Sequence, residues 1–185
     1  GKPLYQLLGG AKTAFETDLT ISVNPVEEMV RDALEARGRG FSILKIKVGK
    51  DPALDVERIA AIRKAVGPAV KLRVDANQGW TAAESVSIIK AMEDKGLNIE
   101  LVEQPVAARD FEGLKAVTAQ VDTPILADEA VFSPADALHI IETHAADYLN
   151  IKLMKTGGIH NALKICEAAE KNGVKCLIGC MLESE

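Results

Sequence analysis

The segment 41–49, FSILKIKVG, has a regular alternation of hydrophobic and polar positions. Aliphatic residues alternate there with Lys45 and Lys47, and successive side chains of a β-strand point to opposite faces of the sheet. The pattern predicts a strand with one apolar face and one face that carries two ammonium groups. Lysines that extend into water from a half-exposed strand are the ordinary interpretation of this pattern. Whether these lysines have a function depends on the residues that follow.

The rest of the chain predicts a strict alternation of strands and helices. Turn and cap residues separate the elements: Asn24 and Pro25 are expected to begin a helix as N-cap and first helical residue, and Thr81 with Glu84 has the capping-box spacing. The predicted strands cover residues 15–23, 41–49, 71–77, 99–105, 124–129, 148–153 and 175–182. The predicted helices cover 24–37, 51–66, 81–95, 110–120, a segment from 133, and 157–172, after a short helical segment within 1–12.

Alternating strands and helices require parallel strands with right-handed crossovers, which is an α/β fold. The glycine fingerprint of dinucleotide-binding sheets is missing from the sequence, so a (β/α) TIM-type barrel is favoured over an open sheet. A closed barrel has eight strands and typically ~250 residues. The seven predicted strands in 185 residues fall short of that. We therefore expect residues 1–185 to be an incomplete barrel domain, either a piece of a larger protein or a domain completed by a strand from another chain.

Charged residues recur at the predicted carboxyl ends of five successive strands. From Lys47 to Asp75 and from Asp75 to Glu103 the spacing is 28 residues, from Glu103 to Asp128 it is 25, and from Asp128 to Lys152 it is 24. Each of these residues thus has nearly the same place in its own strand-helix unit. Ligands of parallel α/β proteins bind at this end of the sheet, so the five side chains are candidates for one functional site.

The three acids of this set, Asp75, Glu103 and Asp128, come from neighbouring strands that are ~4.8 Å apart in a sheet. Any one of them alone would be interpreted as a salt bridge or a helix cap. Three carboxylates in one barrel mouth would repel one another, and a divalent cation would remove that cost. Ligation by oxygen alone suits Mg²⁺, and no histidine or cysteine lies at a neighbouring strand end to favour zinc.

The two lysines at the ends of this set belong to strands two and six, which lie opposite each other in an eight-stranded barrel. Lys47 and Lys152 would then face each other across the cavity, with one amine on each side of a bound substrate. A metal ion that holds a carboxylate stabilises the charge that develops when the adjacent carbon loses its proton. The like charge of Lys45 on the same face as Lys47 favours the neutral amine that a base requires.

Five motifs in this order resemble the enolase superfamily, muconate-lactonizing subgroup. They are KIK at 45–47, VDAN at 74–77, VEQP at 102–105, ADE at 127–129 and NIKLMKTGG at 150–158. The resemblance spans essentially the whole chain and implies a (β/α) barrel that binds Mg²⁺ and abstracts a proton next to a carboxylate through a stabilised enediolate. It also implies roles for six residues: acid/base catalysis by Lys47 and Lys152, electrostatic support by Lys45, and Mg²⁺ ligation by Asp75, Glu103 and Asp128.

Within the subgroup, the motifs at 150–158 and at 178–184, IGCMLES, resemble the dipeptide epimerases. This implies an isomerase, a racemase or epimerase of small carboxylate substrates such as the dipeptide L-Ala-D/L-Glu. Two opposed lysines also occur in o-succinylbenzoate synthases and muconate cycloisomerases, which stay as alternatives. Members of the superfamily carry an N-terminal capping domain, and dipeptide epimerases bind the substrate ammonium group through an eighth strand. Neither is found in this sequence, so we expect the barrel portion of such an enzyme, with the isolated chain not fully active.

A different class of function is a non-catalytic barrel fragment that forms a homo-oligomer through its open strand edges. Other residues allow two interpretations. Asn77 could hold a metal-bound water or make a strand-end hydrogen bond, and Trp80 could pack or contact substrate. Lys155 could attract an anion or belong to a tight loop, and Glu183 could line the mouth of the barrel or lie in a disordered chain end.

Composition excludes several other classes. The net charge is -5 with scattered basic residues, so nucleic-acid binding has no electrostatic support. Apolar runs are interrupted well short of the ~20 residues that a membrane-spanning helix needs. The three cysteines are odd in number and lack zinc-type pairing, which predicts reduced thiols in a cytoplasmic protein.

Overall fold

The computed structural model describes residues 1–181 and contains one parallel sheet of seven strands, in the order β1 to β7. Each strand pairs with the next strand of the sequence, and helices connect them and pack on one another as an outer layer. The strands are β1 Leu19–Ile21, β2 Ile43–Lys47, β3 Lys71–Asp75, β4 Ile99–Glu103, β5 Ile125–Ala127, β6 Tyr148–Ile151 and β7 Lys175–Ile178. The helices are α1 Leu4–Leu7, α2 Val26–Gly38, α3 Pro52–Val66, α4 Ala82–Asp94, α5 Phe111–Thr118, α6 Pro134–Thr143, α7 Leu153–Thr156 and α8 Ile159–Lys171. The predicted (β/α) TIM-type barrel portion with seven parallel strands is confirmed.

All seven strands are shorter than the segments predicted for them, and the first strand differs most. The first predicted strand, 15–23, contains only β1, because Phe15 lies outside the sheet with 80% of its surface exposed. The predicted last strand ends at Ile178, and Leu182 and Glu183 lie outside the described residues. Within residues 1–181, no helix is both long and apolar enough to span a bilayer.

One predicted helix start is wrong and another is confirmed. Pro25, with φ -53° and ψ 148°, is the N-cap of α2, which therefore begins at Val26 without a side-chain cap from Asn24. Thr81 and Glu84 form the predicted capping box: the Thr81 hydroxyl accepts from the Glu84 amide, and the Glu84 carboxylate accepts from the Thr81 amide at 2.8 Å. The helix α7 was not predicted, and left-handed Gly157 ends it.

The aliphatic residues that alternate with the lysines of β2 are fully buried in the core. Leu44 and Ile46 belong to the same buried cluster as Ile59 and Ile62 of α3. The other face of β2 therefore carries its lysines on the opposite side of the sheet from this cluster. Period-two alternation thus places an apolar face against the helices and a charged face toward the site.

The loops that follow β2 and β3 are pressed against each other. Gly49 has φ +90°, and a Cβ there would lie 2.2 Å from the Ala76 carbonyl oxygen; a Cβ on Gly79 would lie 2.4 Å from the Gly49 carbonyl oxygen. Buried Asp55 joins the two loops, because its Oδ2 accepts from the Gly49 amide at 2.9 Å and from Trp80 Nε1 at 3.0 Å. Trp80 is 3% exposed and packs in the core, which decides between its two interpretations.

Candidate active site

Strand register places the first three charged residues side by side. Lys47 at the end of β2 is the partner of Asp75 at the end of β3, and Asp75 is the partner of Glu103 at the end of β4. Side chains at the same level of neighbouring parallel strands point to the same face. The sequence spacing of 28 residues is therefore converted into lateral neighbours on one face of the sheet.

The next two charged residues lie higher along the sheet. Leu126 is the register partner of Glu103, so Asp128 lies two residues beyond that level and on the same face. Lys152 directly follows β6 in the same way. This stagger is the shear that accompanies strand tilt in a barrel. All five predicted residues lie at the carboxyl ends of successive strands, on one side of the sheet.

Two lysines hold the first pair of acids. Lys45 Nζ lies 2.7 Å from Glu103 Oε2 and 3.0 Å from Asp75 Oδ2, and Lys47 Nζ lies 2.7 Å from the same Asp75 oxygen. Asp75 is fully buried and Glu103 is 2% exposed. The two ammonium groups of β2 therefore converge on one carboxylate oxygen, and Lys45 is close enough to Lys47 to act on it electrostatically.

A second pair of lysines holds the third acid. Lys152 Nζ lies 2.5 Å from Asp128 Oδ2, and Lys155 Nζ lies 2.5 Å from Asp128 Oδ1. Asp128 is fully buried and Lys152 is 9% exposed. Lys155 thus belongs to the site through an ion pair, which neither of its sequence interpretations anticipated. Lys47 contacts the acid at one end of the row and Lys152 contacts the acid at the other end.

Burial and neighbouring charges shift several pKa values. Burial, and then the nearby Asp75 charge, raise the pKa of Glu103 to about 7 against the opposing effect of Lys45. Burial acts to lower the pKa of Lys45, but Glu103 and Asp75 outweigh it, so that pKa is raised. Burial acts to raise the pKa of Asp128, but Lys155 and Lys152 hold it below its ordinary value. Burial lowers the pKa of Lys155, although Asp128 opposes the shift.

These contacts change the argument for a metal ion. The carboxylates are paired with ammonium groups, so lysines supply the compensation that was expected from a divalent cation alone. Within residues 1–181, no three His, Cys, Asp or Glu side chains form a ready metal-binding group. The donors nevertheless fit Mg²⁺ chemically, because three buried carboxylates offer oxygen only and Glu103 still experiences the charges of Asp75 and Asp128. The roles of these three acids as ligands stay a prediction.

Sequence analysis missed three further residues of the site. Asn150 Nδ2 donates to Glu103 Oε1 at 2.9 Å, and a Cβ on Gly179 would lie 2.5 Å from Asn150 Oδ1 and 3.0 Å from Lys152 Cε. Buried Gln104 accepts at Oε1 from the amides of Asp128, at 2.9 Å, and Ala130, at 3.0 Å. Asn150 lies two positions before Lys152 on the same strand face, which is the signal that could have revealed it.

The fold and the site together define a (β/α) barrel portion with an acid and lysine site at the carboxyl ends of its strands. The sequence model of the family described as Enolase C-terminal domain-like matches residues 28–185, and the chain belongs to this family. The resemblance to the enolase superfamily is thereby confirmed.

Particular relatives narrow the comparison. The L-Ala-D/L-Glu epimerase of Clostridium acetobutylicum is 58% identical over 185 residues, which are 100% of this chain and 52% of that protein. The hydrophobic dipeptide epimerase of Enterococcus faecalis is 51% identical over 181 residues, which are 98% of this chain and 51% of that protein. The chain therefore spans about half the length of the curated relatives that it matches.

Solved structures of similar proteins have the same fold. A substrate-liganded complex of the L-Ala-D/L-Glu epimerase from Bacillus subtilis matches with a TM-score of 0.97 and 57% identity over 98% of this chain and 51% of that chain. A dipeptide epimerase from Enterococcus faecalis V583 complexed with Mg and the dipeptide L-Leu-L-Tyr matches with a TM-score of 0.95 and 51% identity over 98% of this chain and 51% of that chain. The substrate, the Mg and the dipeptide are bound in those two similar proteins.

Proposed function

We propose that the full-length protein carrying this chain is a Mg²⁺-dependent isomerase that epimerises dipeptides, with L-Ala-D/L-Glu as the first candidate substrate. The observation that carries the proposal is the row of three buried carboxylates at consecutive strand ends with a lysine at each end. Similar proteins named as dipeptide epimerases, at 58% and 51% identity, support epimerisation over elimination or cycloisomerisation. The complex of one relative with Mg and a dipeptide supports both the metal ion and the substrate class.

The proton transfers follow from the two lysines. One of them, as the neutral amine, takes the proton from the carbon next to the substrate carboxylate, and the electrons of the broken C–H bond move into the carboxylate. The other, as the ammonium ion, gives a proton to the opposite face of that carbon and becomes an amine. Held by Asp75, Glu103 and Asp128, Mg²⁺ would stabilise the negative charge on the carboxylate oxygens. Lys45 supports the site by holding Asp75 and Glu103 in place.

Exchange in D₂O tests the proposal directly. The full-length protein with Mg²⁺ is incubated with L-Ala-L-Glu or L-Ala-D-Glu, and the α-proton signal of the Glu residue is followed by NMR. We expect deuterium incorporation from both diastereomers, because each presents its α-proton to one of the two lysines. If no deuterium enters these or other dipeptides, epimerisation is rejected. The o-succinylbenzoate synthase and muconate cycloisomerase reactions would then be the remaining enzyme alternatives. If the protein neither exchanges protons nor takes up Mg²⁺, the non-catalytic alternative is favoured instead.

The two-base assignment predicts a stereochemically asymmetric variant. In Lys152→Ala, exchange from one diastereomer is abolished while some exchange from the other remains, because Lys47 still removes the proton on its own face. The rates are compared with those of Lys47→Ala, which should show the opposite asymmetry. Equal loss from both diastereomers in Lys152→Ala would contradict the assignment of one lysine to each face.

A further inference from the structure

The side-chain amide of Asn77 lies between Lys47 and an acid that has no role so far. Lys47 Nζ donates to Asn77 Oδ1, and Asn77 Nδ2 donates to Glu129 Oε1 at 2.8 Å. The other carboxylate oxygen of Glu129 is buried and has no hydrogen-bond partner among residues 1–181. One oxygen of Glu129 thus accepts from the amide, although burial of the unpaired second oxygen costs free energy.

The two neighbours of the amide determine which way it points. A carboxylate only accepts hydrogen bonds and an ammonium group only donates them. The Asn77 amide must therefore turn its NH₂ to Glu129 and its oxygen to Lys47. The reverse orientation would place like partners against each other at both ends, because the carbonyl oxygen would face the carboxylate. A glutamine at position 129 can donate as well as accept, so it would no longer select one orientation of the amide, and the contact with Lys47 alone would remain to set it.

The backbone brings Asn77 into this position. Asn77 and Gln78 have left-handed φ values of 46° and 67°, which asparagine tolerates better than most residues. Asp75 Oδ1 accepts from the Asn77 amide nitrogen at 2.9 Å, which stabilises the bend directly after β3. Lys47 and Asn77 line an open cavity of about 440 Å³, to which Ser22 and Gly49 also contribute. The Asn77 side-chain amide therefore helps to position Lys47 in the wall of this cavity.

We infer that Glu129 is a positioning residue for Lys47, which acts by fixing the orientation of the Asn77 amide. The inference rests on the proposed epimerase function, because it gives Glu129 an effect on the proton transfer at one substrate face. In the described part of the chain, Glu129 forms an ion pair with neither Lys47 nor Lys152, so its influence on Lys47 passes through Asn77. Lys152 makes its own contact with Asp128 and is outside this relay.

The first test separates the two faces. The variant Lys47→Ala first identifies the diastereomer whose exchange depends on Lys47. In full-length Glu129→Gln, the exchange rate of that diastereomer should fall about tenfold, while the exchange rate of the other diastereomer changes less than about twofold. Asn77→Ala should do the same, and the double variant should be no slower than Asn77→Ala, because residues that act through one another are not additive. Glu100→Gln is the matched control, since Glu100 pairs with Arg73 at the start of β4 and should leave both rates unchanged.

The second test does not depend on activity. In ¹⁵N NMR spectra of the full-length protein without metal, Glu129→Gln should move the side-chain NH₂ signal of Asn77, and Glu100→Gln should not. Equal loss on both faces, no loss, or additive effects in the double variant would overturn the inference. If the unsubstituted protein exchanges neither diastereomer, the proposed function fails, and the Asn77 signal alone decides whether Glu129 orients the amide.

Discussion

At the scale of single residues, charge compensation in this site depends on sharing. One oxygen of Asp75 accepts from two ammonium groups, while Glu103 shares its oxygens between Lys45 and Asn150. The sequence predicted the row of acids, because each occupies the same place in its strand-helix unit. It did not predict the pairing partners, since a lysine on a strand face reveals neither which acid it reaches nor whether water separates them.

Gly179 is the residue that keeps space for this pairing. In Gly179→Ala, the new methyl group would press on Asn150 and Lys152, so we expect kcat to fall by about 10²-fold, the cost of ~1 Å misplacement of a reacting group. Thermal unfolding should change little, because the contacts are with side-chain atoms that can shift. Gly38→Ala is the control, since a Cβ on Gly38 has no atom within 4 Å. Unchanged kcat in Gly179→Ala would show that Lys152 needs no such space.

At the scale of elements, the strands that carry the site were easier to predict than the short helices and bends that follow them. The apolar runs of β2, β3 and β4 fix their register, and a slip of one residue would send each acid to the other face. The ion pair of Lys155 depends on α7, a single turn of four residues that no periodicity can reveal. Gln104 has a left-handed φ of 37°, and no residue pattern in the sequence predicts that backbone conformation.

The start of α6 predicts a pH-dependent contribution to stability. Partial burial acts to raise the pKa of Asp136, but Arg109, Ser133 and the Phe132 amide hold it below its ordinary value of 3.8. Because the pKa is lower in the folded state, the stabilisation is fully present above the ordinary pKa of 3.8 and is lost as the pH falls through the folded pKa. Between pH 6 and pH 3, the unsubstituted protein should therefore lose more unfolding free energy than Asp136→Asn, as measured in urea. Parallel pH curves for the two proteins would contradict this.

At the scale of the whole molecule, a curled parallel sheet brings residues far apart in sequence to one side of the fold. Lys47 and Lys152 come from β2 and from the end of β6, with the three acids on the strands between. The alternation of strands and helices was sufficient to predict this arrangement. The fold was thus predictable from the alternation and the family from the five motifs, whereas the cytoplasmic location and a homo-oligomeric state stay predictions.

Mg²⁺ should stabilise the full-length protein as a whole, because binding to the folded state alone shifts the unfolding equilibrium. At a Mg²⁺ concentration 100-fold above its dissociation constant, we expect a gain of about 2.7 kcal/mol, and chelation should reverse it. Asp75→Asn has nearly the same shape but one charge less, so the gain should be much smaller at the same concentration. Calorimetry in which the variant binds Mg²⁺ as tightly as the unsubstituted protein would rule out Asp75 as a ligand.

The most direct test of the central claim is a crystal structure of the full-length protein with Mn²⁺ in place of Mg²⁺ and a bound dipeptide. The anomalous signal locates the cation independently of its ligands. We predict one Mn²⁺ bound by Asp75, Glu103 and Asp128, with Lys47 and Lys152 on opposite faces of the α-carbon. A cation bound elsewhere, or both lysines on one face of that carbon, would contradict the account.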